Sequence, residues 1–520
     1  MGAAALGVET HWFILAVARS NLVKRLPGGM SEYCKIALRL FYQPYDARNG
    51  IHIAPCEIVI FSQLSILLGD EGALKEMIEM KGAAGTKLCP LCQNILDRKS
   101  DLLQMDTSGF FIPSTTLDLS LIKFETNESV QKTLRYLQEN KDSVSAERFG
   151  RMQQYTGFNL TESGLLLDPL LDLKPCNVLM FDWMHCYISS GIWQLEVGLL
   201  LEQLKTCNIK QDRLHTMLQE FVFPKSISSK SMTGQNIFYK KKEGESVKCS
   251  ASEALSIYSV LRFVMIRLKN SGEISAIEPA VQSYLNLCRV LDLLANVKKQ
   301  TTIASELQNA IFRHLQSYQD SYGVERWLPK HHMMVHIPLM YQSHKLLCAC
   351  FTHERKHKTV KKFSSQATNT WAAWEKSVLM DSLREDLQDV VSRSFSIEPG
   401  LLSPGQANDE MVSTLRGLLG NPTDDVAVSL QARFSDGGRC SSKDVLLVDF
   451  NGTSTVCTAV FFSKVGENHF AYVEIWKPLG SNKFEKTTEK GFCELTCIRE
   501  VCIHVKHGDR IDVVPNSCWR

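Results

Sequence analysis

The sequence predicts a mixed α/β chain with a long helical middle and a small all-β module at its C-terminal end. Three observations lead there. Apolar runs of strand length fall at 10–18, within 55–70 and at 176–185. Helix-period patterns such as "SEALSIYSVLRFVMIRLKN" and "AVQSYLNLCRVLDLLANV" then carry the chain to about residue 320. After residue 440 the texture alternates, in "DVLLVDF", "TVCTAVFFSKV", "FAYVEIW" and "CIREVCIHV", with turns such as "FNGTS" between.

The elements follow in order. "THWFILAVA" (10–18) reads as a strand, and 28–43 as a helix that starts at Ser31 and stops before Pro44. "PCEIVIFSQLSILLGD" (55–70) begins β-rich and ends at Gly69-Asp70; a short helix and a glycine-rich turn then lead into "CPLC". Residues 106–170 are polar with weak periodicity. "CNVLMFDWMH" is a buried strand that ends at Asp182, and "SGIWQLEVGLLLEQL" opens the helical stretch. Residues 366–398 are helical again, and "IEPGLLSPGQANDE" reads as a linker rich in Pro and Gly.

At 520 residues the chain exceeds one compact core, so several domains are expected. Lys and Arg number 58 against 56 Asp and Glu, so any attraction to nucleic acid must come from a local patch. No apolar run is long enough for a membrane span, and no membrane partner is expected. The 17 cysteines are scattered, which fits a reduced compartment, nuclear or cytoplasmic, with metal sites or buried thiols in place of disulfides.

The candidate metal ligands come as two half-sites. Cys89 and Cys92 have the C-x-x-C spacing that aims two thiolates at one zinc ion, although two buried thiols have the same spacing. His332 and His336 lie one helical turn apart and share a face; His331 is an alternative to His332 if the helix is distorted. Two cysteines and two histidines close a tetrahedral site and leave no position open for catalysis, so such a zinc is structural. It would staple segments far apart in the chain.

The candidate carboxylates sit at strand and helix ends. Asp70 ends an apolar strand, and Asp182 follows "NVLMF" with His185 three residues on. Glu354 is surrounded by Arg355, Lys356, Lys358, Lys361 and Lys362. Carboxylates converging on Mg²⁺ or Mn²⁺ make a phosphoryl-transfer site, with the basic residues on the DNA backbone. The plainer reading of each acid alone is a solvated or salt-bridged side chain.

In order and spacing, "LLGDEGALKEMIEMKGAAGTKLCPLC", "VLMFDWMHCYISSGIWQLEVGLLL" and "LPKHHMMVHIPLM…CFTHERKHKTVKKF" resemble the CACTA (En/Spm-type) DDE transposases, and more distantly the V(D)J recombinase catalytic subunit. The resemblance spans roughly residues 10–365. It implies a partial RNase H-like core interrupted by the helical insertion. In it Asp70 is the second catalytic acid, Glu354 the last, and Cys89, Cys92, His332 and His336 the zinc ligands. Asp182 and His185 match a D-x-x-H motif that supports the active site or packs. The division it implies is a partial core over 1–105, a connecting region over 106–170, and a last core strand with insertion over 171–345. The final helices fill 346–400, the linker 401–439 and the β module 440–520. The family's first catalytic Asp belongs to a strand before 10–18, and no aspartate precedes Asp46. The expectation is therefore an N-terminally incomplete, impaired transposase, active at transposon ends only if its acids are complete. A homodimer is expected from the family, where two ends are synapsed. The alternative is a non-catalytic DNA- or chromatin-binding protein on the same zinc-stapled scaffold.

Overall fold

The computed structural model describes residues 12–82, 85–225, 238, 246–297, 302–367, 373–391, 398–419, 426–435, 438–450, 452–480 and 482–514. The chain is mixed α/β with a C-terminal all-β sheet region. It divides into two units, each built from separated stretches. One comprises Glu9–Tyr187 and Ile303–Ser392; the other comprises Ile188–Thr302 and Arg393–Arg520. The 171–345 stretch expected as one piece is thus shared between them.

In the first unit the strands Leu67–Gly69 and Leu179–Phe181 pair in parallel, with Leu67 opposite Leu179 and Gly69 opposite Phe181. Every side chain of "LMF" is buried, as parallel strands covered on both faces require. Both strands end at one edge, where the Asp182 amide reaches the Gly69 carbonyl at 3.4 Å. Asp70 and Asp182 therefore leave the same end of the pair. Helix Glu71–Met77 follows directly, capped by the Asp70 side chain. Helices Ala304–Tyr322, Pro329–Met333, Ile337–His344, Phe351–Gln366 and Trp374–Val391 complete the unit's second stretch.

The strand expected at 10–18 is absent over its described part, since residues 12–18 have no regular structure. Side chains hold this segment in place of a backbone ladder. Trp12 meets the His353 ring edge-on at 4.6 Å, and Arg19 pairs with Glu375 at 2.7 Å. Phe13 stays exposed.

In the second unit, the helical segment includes Ile192–Thr206, Ala251–Asn270 and Glu278–Asn296. Ser250 and Glu253 form a capping box at the start of the second. The β region holds a ten-stranded sheet centred on Thr453–Val465, Asn468–Gly480 and Lys483–Glu494. The linker expected at 401–439 is folded chain. Gly405–Gln406 and Val426–Ser429 extend this sheet, Gly400–Leu402 and Gln431–Arg433 belong to a three-stranded one, and Asp409–Leu419 is a helix. Gly400 and Gly405 open two of these short strands, with Ser403 and Pro404 between them. The β region also recruits Phe221–Val222, which pairs with His504–His507.

His504 is buried, and burial pushes its pKa down to about 4. An unfolded histidine protonates near its ordinary value of about 6.5. Between those values only the unfolded chain takes up the proton. The contribution is complete above pH 6.5 or so and declines as pH falls, by roughly 3 kcal/mol at pH 4. Urea unfolding at pH 7 and pH 4.5 checks this: His504→Leu should lose less stability on acidification than the wild type. Equal losses in the two proteins would assign the acid limb elsewhere.

Candidate metal centre and carboxylate site

"CPLC" turns back on itself, so that the Leu91 amide donates to the Cys89 sulfur at 3.4 Å. His332 lies on helix Pro329–Met333 and His336 in the tight turn after it. The four side chains meet in the interior of the first unit. Cys89 Sγ is 3.3 Å from His336 Nε2, and Cys92 Sγ is 3.4 Å from His332 Nε2 and 3.3 Å from His336 Nε2. The two Nε2 atoms are 3.3 Å apart. Bond lengths of about 2.3 Å to sulfur and 2.0 Å to nitrogen give a tetrahedral zinc site edges of roughly 3.3–3.8 Å. All four residues are buried, and the cluster fits structural zinc.

The electrostatics point the same way. Burial opposes charge on both thiols, yet the Cys92 thiol and the His336 and His332 rings together hold Cys89 well below the ordinary thiol value. Burial, together with the Cys89 thiolate, raises Cys92. Burial lowers His332 and keeps it in the neutral, metal-binding form. His331 takes no part. Its Nδ1 accepts from the Leu328 amide at 2.9 Å and its ring stacks on Trp327 at 4.5 Å, so His332 and not His331 belongs to the cluster. The rings of Phe124 and Phe181 each meet His336 edge-on at 5.7 Å. Through Phe181 the Cys2His2 cluster packs against the strand that leads to Asp182.

Asp70 is exposed, and its Oδ1 accepts the Ala73 amide at 2.7 Å. Asp182 is 1% exposed. Its Oδ1 accepts the amides of Met184 at 3.0 Å and Cys350 at 3.1 Å, and its Oδ2 holds His185 Nδ1. The far nitrogen, His185 Nε2, is 3.5 Å from Glu354 Oε1. The hydrogen bond to Asp182 raises His185 above the ordinary imidazole value against the effect of burial, and the charges of Asp182, Asp70 and Glu354 add to it. The fold thus brings Asp182 and Glu354 to the two nitrogens of one imidazole ring, on which the charge of Asp70 also acts. Glu354 stands in the first turn of Phe351–Gln366, where the helix dipole favours an acid.

The basic residues divide. Lys358 and Lys361 are exposed; Lys362 is 3.5 Å from Glu385, and Arg355 donates to Thr352 Oγ1 at 3.4 Å. Lys356 is not a surface contact: it is buried in an ion pair with Asp386, so its charge is already neutralised.

Sequence reasoning missed Cys350, whose backbone amide closes on Asp182, because nothing in a residue's identity signals an amide contact. It also takes the chain to have no H-E-x-x-H and disfavours a zinc peptidase on that ground, yet His353-Glu354-Arg355-Lys356-His357 has that spacing. Here His353 packs on Trp12 and His357 is exposed. No third ligand joins them among the described residues. No described helix is long and apolar enough to cross a membrane. No family model matches this chain, and no curated protein is similar enough to match it.

Proposed function

We propose that the chain is a transposase-derived DNA-binding protein with an RNase H-like site for metal-dependent phosphoryl transfer at transposon ends. The observation that carries this reading is the shared exit of Asp70 and Asp182 from paired parallel strands, with Glu354 brought to the same place through His185. Asp70 and Glu354 would hold Mg²⁺ or Mn²⁺, hard cations suited to carboxylate oxygens. When bound, such an ion activates the attacking hydroxyl or water and stabilises the leaving oxygen. Asp182 orients His185, and Lys358, Lys361 and Arg355 face the phosphate backbone. Two copies would synapse two DNA ends, in the nucleus or wherever DNA is reached.

Wild-type protein should cleave DNA bearing terminal inverted repeats in the presence of Mn²⁺, slowly unless a third acid completes the site. Asp70→Asn and Glu354→Gln should each lower the rate by about a hundredfold or more while zinc content stays unchanged. Cleavage that survives both substitutions would sink the reading. A second reading, a non-catalytic DNA-binding scaffold, is favoured by the state of Asp182, whose oxygens are consumed by two amides and His185. Binding that weakens steeply with salt, with no cleavage in any divalent cation, would select it.

A further inference from the structure

Resting on the phosphoryl-transfer reading, we propose that His185 is itself a ligand, through Nε2, of a divalent cation shared with Glu354, and that Asp182 is its positioning residue. The site then has a mixed nitrogen and oxygen donor set in place of carboxylates alone.

Asp182 cannot easily serve as the ligand. It is almost wholly buried, Oδ1 already takes two amide donors and Oδ2 takes the imidazole. That arrangement fixes the ring and the tautomer: a proton on Nδ1 leaves the lone pair on Nε2. A buried carboxylate behind an imidazole whose far nitrogen faces outward is the usual support for a metal-binding histidine. The His185 side chain is 22% exposed, so Nε2 is reachable where Asp182 is not.

The spacing to Glu354 agrees. At 3.5 Å, Nε2 and Oε1 are further apart than a charge-assisted hydrogen bond of about 2.7–2.9 Å. Bonds of about 2.1 Å from one ion to an imidazole nitrogen and a carboxylate oxygen place those atoms roughly 3.0–3.5 Å apart. Cys350 Sγ lies in the same neighbourhood, but burial and the Asp182 charge push its thiol up, so at neutral pH it keeps its proton. An imidazole ligand shifts preference from Mg²⁺ and Ca²⁺ towards first-row transition ions such as Mn²⁺.

The test uses the full-length, zinc-loaded chain titrated with Mn²⁺. The EPR signal of free Mn²⁺ reads affinity, and electron spin echo modulation reads nitrogen-14 coupled to the bound ion. Wild-type protein should bind Mn²⁺ with nitrogen coupling, and Mg²⁺ should displace it only at more than about tenfold excess. His185→Gln should abolish the coupling, and Asp182→Asn should weaken Mn²⁺ binding by about 10–100-fold, both with zinc retained as the sign of an intact fold. Bound Mn²⁺ without nitrogen coupling, or coupling that persists in His185→Gln, overturns this inference and leaves the carboxylate site standing. Failure of the wild type to bind Mn²⁺ overturns the phosphoryl-transfer reading, and this inference with it.

Discussion

Cys92→Ser should reduce bound zinc from one equivalent per chain to near none and unfold the first unit at far lower temperature than the wild type. The reason is geometric and electrostatic. Removing one thiolate leaves Cys89, His332 and His336 converging within 3.3 Å of their neighbours without a fourth donor, in a site closed to water. Structural zinc sites contribute about 10–16 kcal/mol of apparent binding free energy at neutral pH, all of it absent from the unfolded chain. Loss of that contribution is comparable to the roughly 5–15 kcal/mol that typically separates a folded domain from its unfolded state. His331→Ala, one residue from a ligand, should retain zinc, since that ring stacks on Trp327 outside the cluster. Zinc analysis and calorimetry on the two variants make the comparison. A Cys92→Ser protein that keeps zinc and melts with the wild type would show that the four residues do not hold an ion.

Lys356→Ala is expected to be nearly as damaging, for a different reason. The ammonium is buried against the Asp386 carboxylate, and both side chains are almost inaccessible. Deleting the cation strands a buried anion, and breaking a buried pair from one side costs about 3–5 kcal/mol. Lys358→Ala and Lys361→Ala on the exposed part of the same helix should change stability by less than about 0.5 kcal/mol. Lys356→Met combined with Asp386→Leu should recover most of the loss, because the desolvation cost leaves with the charges. Denaturant titration distinguishes the cases. A mild Lys356→Ala effect would place that lysine in solvent, as the sequence first suggests.

Much of the candidate site was legible because short spacings fix local geometry whatever the fold. Cys-x-x-Cys, His-x-x-x-His and Asp-x-x-His each commit two side chains to one direction, and each pair does meet as its spacing requires. What was not legible depends on partners far along the chain. In a helix as basic as "ERKHKTVKK", nothing distinguishes the lysine that turns inward; Asp386, 30 residues on, decides it. The 10–18 run has the composition of a strand, but a strand needs a ladder, and composition cannot supply the partner. The linker failed similarly. Val426–Ser429 finds its place beside Val465 and Phe462, a pairing that no local pattern announces.

The distance along the chain between the two halves of the metal centre also bears on how the protein is made. Cys92 and His332 are 240 residues apart, and Cys89 and His336 are 247 apart. At elongation rates of about 5–20 residues per second, the thiols leave the ribosome roughly 12–50 seconds before their histidines do. During that interval the Cys-x-x-Cys pair is open to oxidation, to capture of another soft metal and to premature collapse of the strands beside it. Slow translation, oxidising conditions or zinc scarcity during synthesis should therefore lower the yield of native chain far more than the same insults applied after release. The vulnerable moment for this fold lies in its birth order.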